Sequence, residues 1–186
     1  MTILITGLII FFTVHLLPCF PNLRNHFVDR YGELRFKIAY SVVAASGFIT
    51  IIIGMIYSEF VHLWTPPVWG KHLAMTLMLP SVLLLVSADA PCNIKRFTRH
   101  PMLWGVTLWS FAHLSANGDL ASLILFASFG SYSLFDMWSA NKRGALKSEQ
   151  VYPLQKDIKV WMIGIAAYVI LIFIHPYFTG KTLVVL

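Results

Sequence analysis

The sequence predicts an all-α, polytopic membrane protein: a transmembrane bundle of six helices with both termini non-cytoplasmic. Three observations predict it. Of the 186 residues, 58% are hydrophobic and 12% are charged, whereas a soluble domain carries about 25% charged residues. The apolar residues are gathered into blocks rather than spread along the chain. The basic residues fall almost entirely on alternating inter-block segments. The length suits one domain, residues 1–186.

The blocks are residues 3–17, 36–57, 72–88, 101–114, 120–138 and 160–178. Most approach the ~20 residues that a ~30 Å hydrocarbon core requires. The first, third and fourth are short and must borrow flanking residues. The first lacks a basic start and a small-residue cleavage site, so it reads as a retained span rather than a signal peptide. Ser115-Ala116-Asn117-Gly118-Asp119 divides the fourth and fifth. Asn-Gly is a turn signal, so these blocks form a helical hairpin, with Asn117 and Asp119 as turn and cap residues. Residues 139–159 are the one long polar stretch, expected to be a cytoplasmic loop with an interfacial helix around 151–159.

Charge tests the count. Six spans put loops one, three and five on one side. Those loops hold Arg24, Arg30, Arg35 and Lys37; Lys95, Arg96 and Arg99; and Lys142, Arg143, Lys147, Lys156 and Lys159. The other side has Lys71 and Lys181. The twelve-to-two split places the three loops in the cytoplasm. It also explains the net charge of +6 as a topology and anionic-lipid signal; no aromatic-basic pattern points to nucleic acid. Cys19 and Cys92 fall near the cytoplasmic face, where thiols stay reduced. No phosphate loop, His-Glu-x-x-His or nucleophile elbow is present.

An ionisable side chain inside a span is costly and points to function. His15 and His113 both lie within apolar runs. Two readings stand for them: neutral imidazoles bonded to neighbouring helices, or cofactor ligands. In the six-span topology His15 lies below mid-membrane and His113 above it, on the order of 10 Å apart in depth at ~1.5 Å per residue. Helical side chains lean toward their own N-terminus, so the two lean toward each other. Two imidazoles flanking a flat cofactor between helices is an established bundle-core arrangement. His72 opens span three, as an interface anchor or part of a site. His175 reads as interfacial, and His26 and His62 as loop residues. Arg99 and His100 precede Pro101 at a helix start, which serves as a basic anchor or as an anion or headgroup site. Asp136 is placed to pair with Arg99 or Lys142.

The strings Arg99-His100-Pro101-Met102-Leu103-Trp104-Gly105 and Ala112-His113-Leu114-Ser115-Ala116-Asn117-Gly118-Asp119 resemble the core of the NnrU family. So do Val14-His15-Leu16-Leu17-Pro18 and Lys71-His72-Leu73-Ala74. The resemblance covers roughly residues 5–140. It implies a protein of the bacterial cytoplasmic membrane associated with nitrite and nitric oxide metabolism in denitrification. The family's plant relatives, the 15-cis-zeta-carotene isomerases, are haem b enzymes whose axial histidines match His15 and His113. The resemblance therefore implies haem b on those two residues, with His72, Arg99 and His100 as surrounding, propionate or headgroup contacts. The isomerase branch has a cysteine where this chain has Ser110, which cannot supply a thiolate. The Arg-His-Pro segment is also similar to membrane methyltransferases of the isoprenylcysteine type, but residues 141–157 lack their Glu- and Tyr-rich cofactor segment.

Three functions follow as expectations. One is a haem b protein supporting nitrogen-oxide reduction alongside denitrification membrane proteins. Another is a haem-dependent cis–trans isomerase taking an apolar polyene from the lipid. The third is a cofactor-free assembly factor.

Overall fold

In lipid, backbone N–H and C=O groups must be satisfied within the segment, which makes each apolar block a helix. The structure is a computed structural model that describes residues 1–179. Its helices are α1 (Thr2–His15), α2 (Pro21–Tyr31), α3 (Glu33–Ile56), α4 (Gly70–Asp89), α5 (Ile94–Phe97), α6 (Pro101–Ala116), α7 (Leu120–Lys142) and α8 (Leu154–Thr179). A 3-10 turn, Leu17–Cys19, continues α1. Among the described residues there is no strand, and one isolated β-bridge pairs His62 with Asp119. Lys181, counted above on the sparsely charged side, lies outside the described residues.

Every expected block is a helix, and five helices are long and apolar enough to cross a membrane: α1 with its 3-10 turn, α3, α4, α7 and α8. The fourth block, α6, has 16 residues, about 24 Å of helix against a ~30 Å core. Length alone therefore does not make it a span. It carries no Lys, Arg, Asp or Glu, and it runs antiparallel between α4 and α7. Ser81 Oγ donates to Gly105 O at 2.7 Å, and Ser115 Oγ donates to Gly70 O at 3.2 Å, so α6 lies along α4.

Two expectations change. Loop one contains α2, started by Pro21 and stopped by Gly32 at φ 83°. Its apolar stripe Leu23, Phe27, Tyr31 has helical spacing, but it is short and broken by charges, so it gives no span signal. The long polar stretch contains no separate interfacial helix. Residues 154–159 are the first turns of α8 itself, and α7 extends to Lys142. The segment between is held by Asn93. Its Nδ2 donates to Tyr152 O at 2.8 Å and to Asp157 Oδ2 at 2.6 Å, and its N–H donates to Asp157 Oδ1 at 2.8 Å.

The helices neighbour one another in the order α3, α1, α7, α6, α4, α8. Close approach of α1 and α3 depends on glycine: a Cβ at Gly7 would lie 2.6 Å from Ile51 N, and one at Gly47 would lie 2.7 Å from Phe11 N. The register is antiparallel. Leu4, Leu8, Ile51, Ala121, Leu125 and Phe126 form the buried apolar core where α1, α3 and α7 meet. Large apolar side chains on α3 and α8, such as Ile56 and Phe173, point outward, as lipid-facing residues do.

At the end away from the basic residues, the turn between α6 and α7 is tied down. Asp119 caps α7, accepting from Ser122 N–H at 2.9 Å and Ser122 Oγ at 2.7 Å. Leu63 and Trp64 N–H donate to Gly118 O at 2.8 and 3.1 Å. Pro101 opens α6 at its first turn, as expected from sequence.

Candidate functional site

His15 is the last residue of α1 and half-buried. Its Nδ1 lies 2.8 Å from Phe11 O, one turn back. A carbonyl only accepts, so Nδ1 carries the proton and Nε2 of the neutral ring carries the lone pair. The imidazole stacks on Phe11 at 3.8 Å, with Tyr40 at 5.5 Å and the edge of Tyr132 at 6.1 Å.

His113 repeats the arrangement on α6. Its Nδ1 lies 2.8 Å from Trp109 O, again one turn back. The ring stacks on Phe126 at 4.5 Å and meets Trp109 at 5.2 Å. Both imidazoles thus share one tautomer, set by their own helices. This is the outer-shell bond by which metal-ligating histidines are oriented.

The two rings meet α7 at different levels. His15 sits by Tyr132 and His113 by Phe126, six positions apart along that helix. That corresponds to about 9 Å of rise. Phe129 lies between these levels, 5.3 Å from Phe11 and 5.6 Å from Trp109. The donor chemistry therefore fits haem iron, and an aromatic layer stands between the levels of the two imidazoles. Phe11, Phe129 and Trp109 form that layer. One turn before His113, Ser110 is buried against Gly130, whose added Cβ would stand 3.1 Å from Ser110 Cβ. Among the described residues, its Oγ is the one buried side-chain N or O atom without a hydrogen-bond partner.

The other candidates lie elsewhere. Arg99 Nη1 donates to Asn141 Oδ1 at 3.0 Å, and His100 Nε2 lies 2.9 Å from the same oxygen. These residues clamp the start of α6 to the end of α7. His72 stands exposed on the first turn of α4, at the opposite end of the bundle. Asp136 pairs with neither Arg99 nor Lys142 but with Arg143, at 3.6 Å. Arg99 is engaged by Asn141, and Lys142 Nζ sits 3.9 Å over the Trp138 ring. Asp136 also accepts from Cys19 Sγ at 3.3 Å and Tyr132 OH at 3.4 Å. Tyr132 OH lies 3.0 Å from His15 O, so this polar group adjoins the end of α1. Both cysteines are free thiols.

His175, read from the sequence as interfacial, comes close to His113. Its ring centroid lies 6.4 Å from that of His113, and its Nδ1 lies 3.1 Å from Thr179 Oγ1. The available signal was its level: His113 and His175 both stand near the ends of helices that finish on the same side. Among the described residues no three His, Cys, Asp or Glu side chains converge as a metal-ion cage would require.

Apolar helices of spanning length, a charge-depleted core and two inward-facing imidazoles define a polytopic helical membrane protein. The chain belongs to the NnrU family: residues 3–183 match the NnrU protein family. Comparison with curated proteins and with solved structures found no match.

Proposed function

We propose that this NnrU-family chain crosses the bacterial cytoplasmic membrane six times, binds haem b through His15 and His113, and serves nitrite and nitric oxide metabolism. One observation carries the haem reading. Each imidazole commits Nδ1 to the carbonyl one turn back, 2.8 Å away in both cases, which supports Nε2 as the nitrogen that would meet the iron. The antiparallel run of α6 between α4 and α7 supports the sixth crossing, and the twelve-to-two split of Lys and Arg supports cytoplasmic placement of the basic end. Bound haem would supply one-electron chemistry or nitric oxide ligation. The chain's own part is to present the two nitrogens and to hold the ring planes with Phe11 and Phe126.

The 6.4 Å spacing of His113 and His175 favours a second reading, in which these two are the axial pair. A haem-dependent polyene isomerase is less favoured, because Ser110 offers no thiolate.

The test is the visible spectrum of protein purified in detergent after haem-replete expression. A Soret band is expected, lost or shifted in both His15→Ala and His113→Ala. Loss in His175→Ala with a wild-type band in His15→Ala selects the second reading. A wild-type band in all three variants, or no band in the parent, sinks the proposal.

A further inference from the structure

Beside α1, at the basic end, α2 folds back along α3 and leaves a groove of about 410 Å³. Binding pockets for small molecules fall in the range of about 300–1,000 Å³. The walls follow from helical periodicity. Phe36, Tyr40 and Val43 recur on one face of α3, Phe27 and Tyr31 face them from α2, and Val14 of α1 forms the floor. The one charged lining residue is Arg35. Among the described residues it makes neither an ion pair nor a side-chain hydrogen bond.

Two more guanidinium groups flank the groove by stacking on its aromatic walls. Arg24 lies 5.7 Å over Phe36, and Arg30 lies 5.5 Å over Tyr31. Of the two carboxylates nearby in sequence, Glu33 is taken up by Lys37 at 2.8 Å. Asp29 alone remains to balance the three arginines. An apolar trough with a cationic rim is complementary to a long hydrocarbon chain that ends in an anion.

We propose that this groove is a binding site for an anionic phospholipid, with one acyl chain against Phe27, Phe36 and Val43 and the phosphate on Arg35. A polyene without an acidic group leaves the arginine rim unanswered. A second copy of the chain brings the same basic rim against itself, which like charges oppose. Through Tyr40, whose ring is 5.5 Å from that of His15, the lipid would border the candidate cofactor ligand. The proposal stands apart from haem binding and is tested without it.

The experiment titrates the full chain, delipidated in an uncharged detergent, with phosphatidylglycerol or phosphatidylcholine, and counts bound lipid by native mass spectrometry. Wild type should retain phosphatidylglycerol preferentially. Arg35→Ala should weaken that binding about fivefold, the worth of one juxtamembrane basic residue, leaving phosphatidylcholine unchanged. Ala39→Trp fills the trough from an exposed position on α3; it should remove the tight phosphatidylglycerol site while both variants keep wild-type melting temperatures. Equal retention of the two lipids by wild type overturns the proposal. So does undiminished phosphatidylglycerol binding in Ala39→Trp, which would assign the preference to basic residues elsewhere. Tighter binding of an uncharged polyene than of phosphatidylglycerol, or dimerisation abolished by Ala39→Trp, would name a different occupant and also refute it.

Discussion

Gly54 of α3 lies directly on the backbone of Leu4 in α1: a Cβ at Gly54 would stand 2.4 Å from both Leu4 N and Leu4 Cα. Lipid tails give helices no hydrophobic reason to associate, so backbone proximity at small residues carries much of the packing. Gly7 and Gly47 repeat the contact along the same seam. Gly54→Val should therefore force α1 and α3 apart. The expected loss is about 3 kcal/mol, at the upper end of ordinary overpacking because the obstacle is backbone. Thermal unfolding in detergent reads it, and a melting temperature equal to wild type would refute the seam.

Tyr132 joins α7 to the end of α1 by donating toward His15 O and Asp136 Oδ2. Tyr132→Phe keeps the ring and removes the donor, and should cost about 1 kcal/mol. Cys19, hydrogen-bonded to the same carboxylate, should react faster with a thiol reagent as that end loosens. Unchanged stability and labelling would show that the hydroxyl is dispensable.

Asp119 caps α7 with two bonds to Ser122 while itself buried. Asp119→Ala should destabilise by about 1–2 kcal/mol. Asp119→Asn, which keeps an acceptor for the Ser122 N–H, should recover most of that. If the Asn variant is as unstable as the Ala variant, capping is not the cause.

Asn93 is the tie between the turn after α4 and the segment leading into α8. In Asn93→Ala, limited proteolysis between residues 144 and 152 should accelerate several-fold, while the bundle core stays intact. An unchanged digestion pattern would mean that the bond from Ser148 N–H to Lys95 O holds the segment by itself.

Phe129 separates the levels of His15 and His113. Phe129→Ala should cost about 3 kcal/mol through the cavity it leaves. If haem seats between those histidines, the variant should keep its Soret band despite the lower melting temperature, because the displaced ring is the obstacle to the cofactor. Loss of the band with the helices still folded would count against that seat.

Helix positions were legible because membrane burial and helix periodicity leave plain marks. The apolar blocks became α1, α3, α4, α6, α7 and α8, Pro101 opened α6, and Asp119 capped α7. The family was legible from contiguous strings around His100 and His113, because a local motif needs no fold to be read. Partners of residues far apart in sequence were not. Asp136 could be matched to any nearby base, and only the packed ends of α7 and α1 assign it Arg143, Tyr132 and Cys19. His15 and His113 were singled out by the cost of an imidazole in an apolar run. The sequence carries no record of what stands between them, since Phe129 and Trp109 look like any other lipid-facing aromatics until α7 is inserted between α1 and α6. The sequence by itself determined which segments are apolar helices, because desolvation is a property of each segment alone. Tertiary structure decided which helix touches which, that α2 walls a groove beside Tyr40, and that His175 is a near neighbour of His113. Contact between distant segments depends on the packing of the whole bundle.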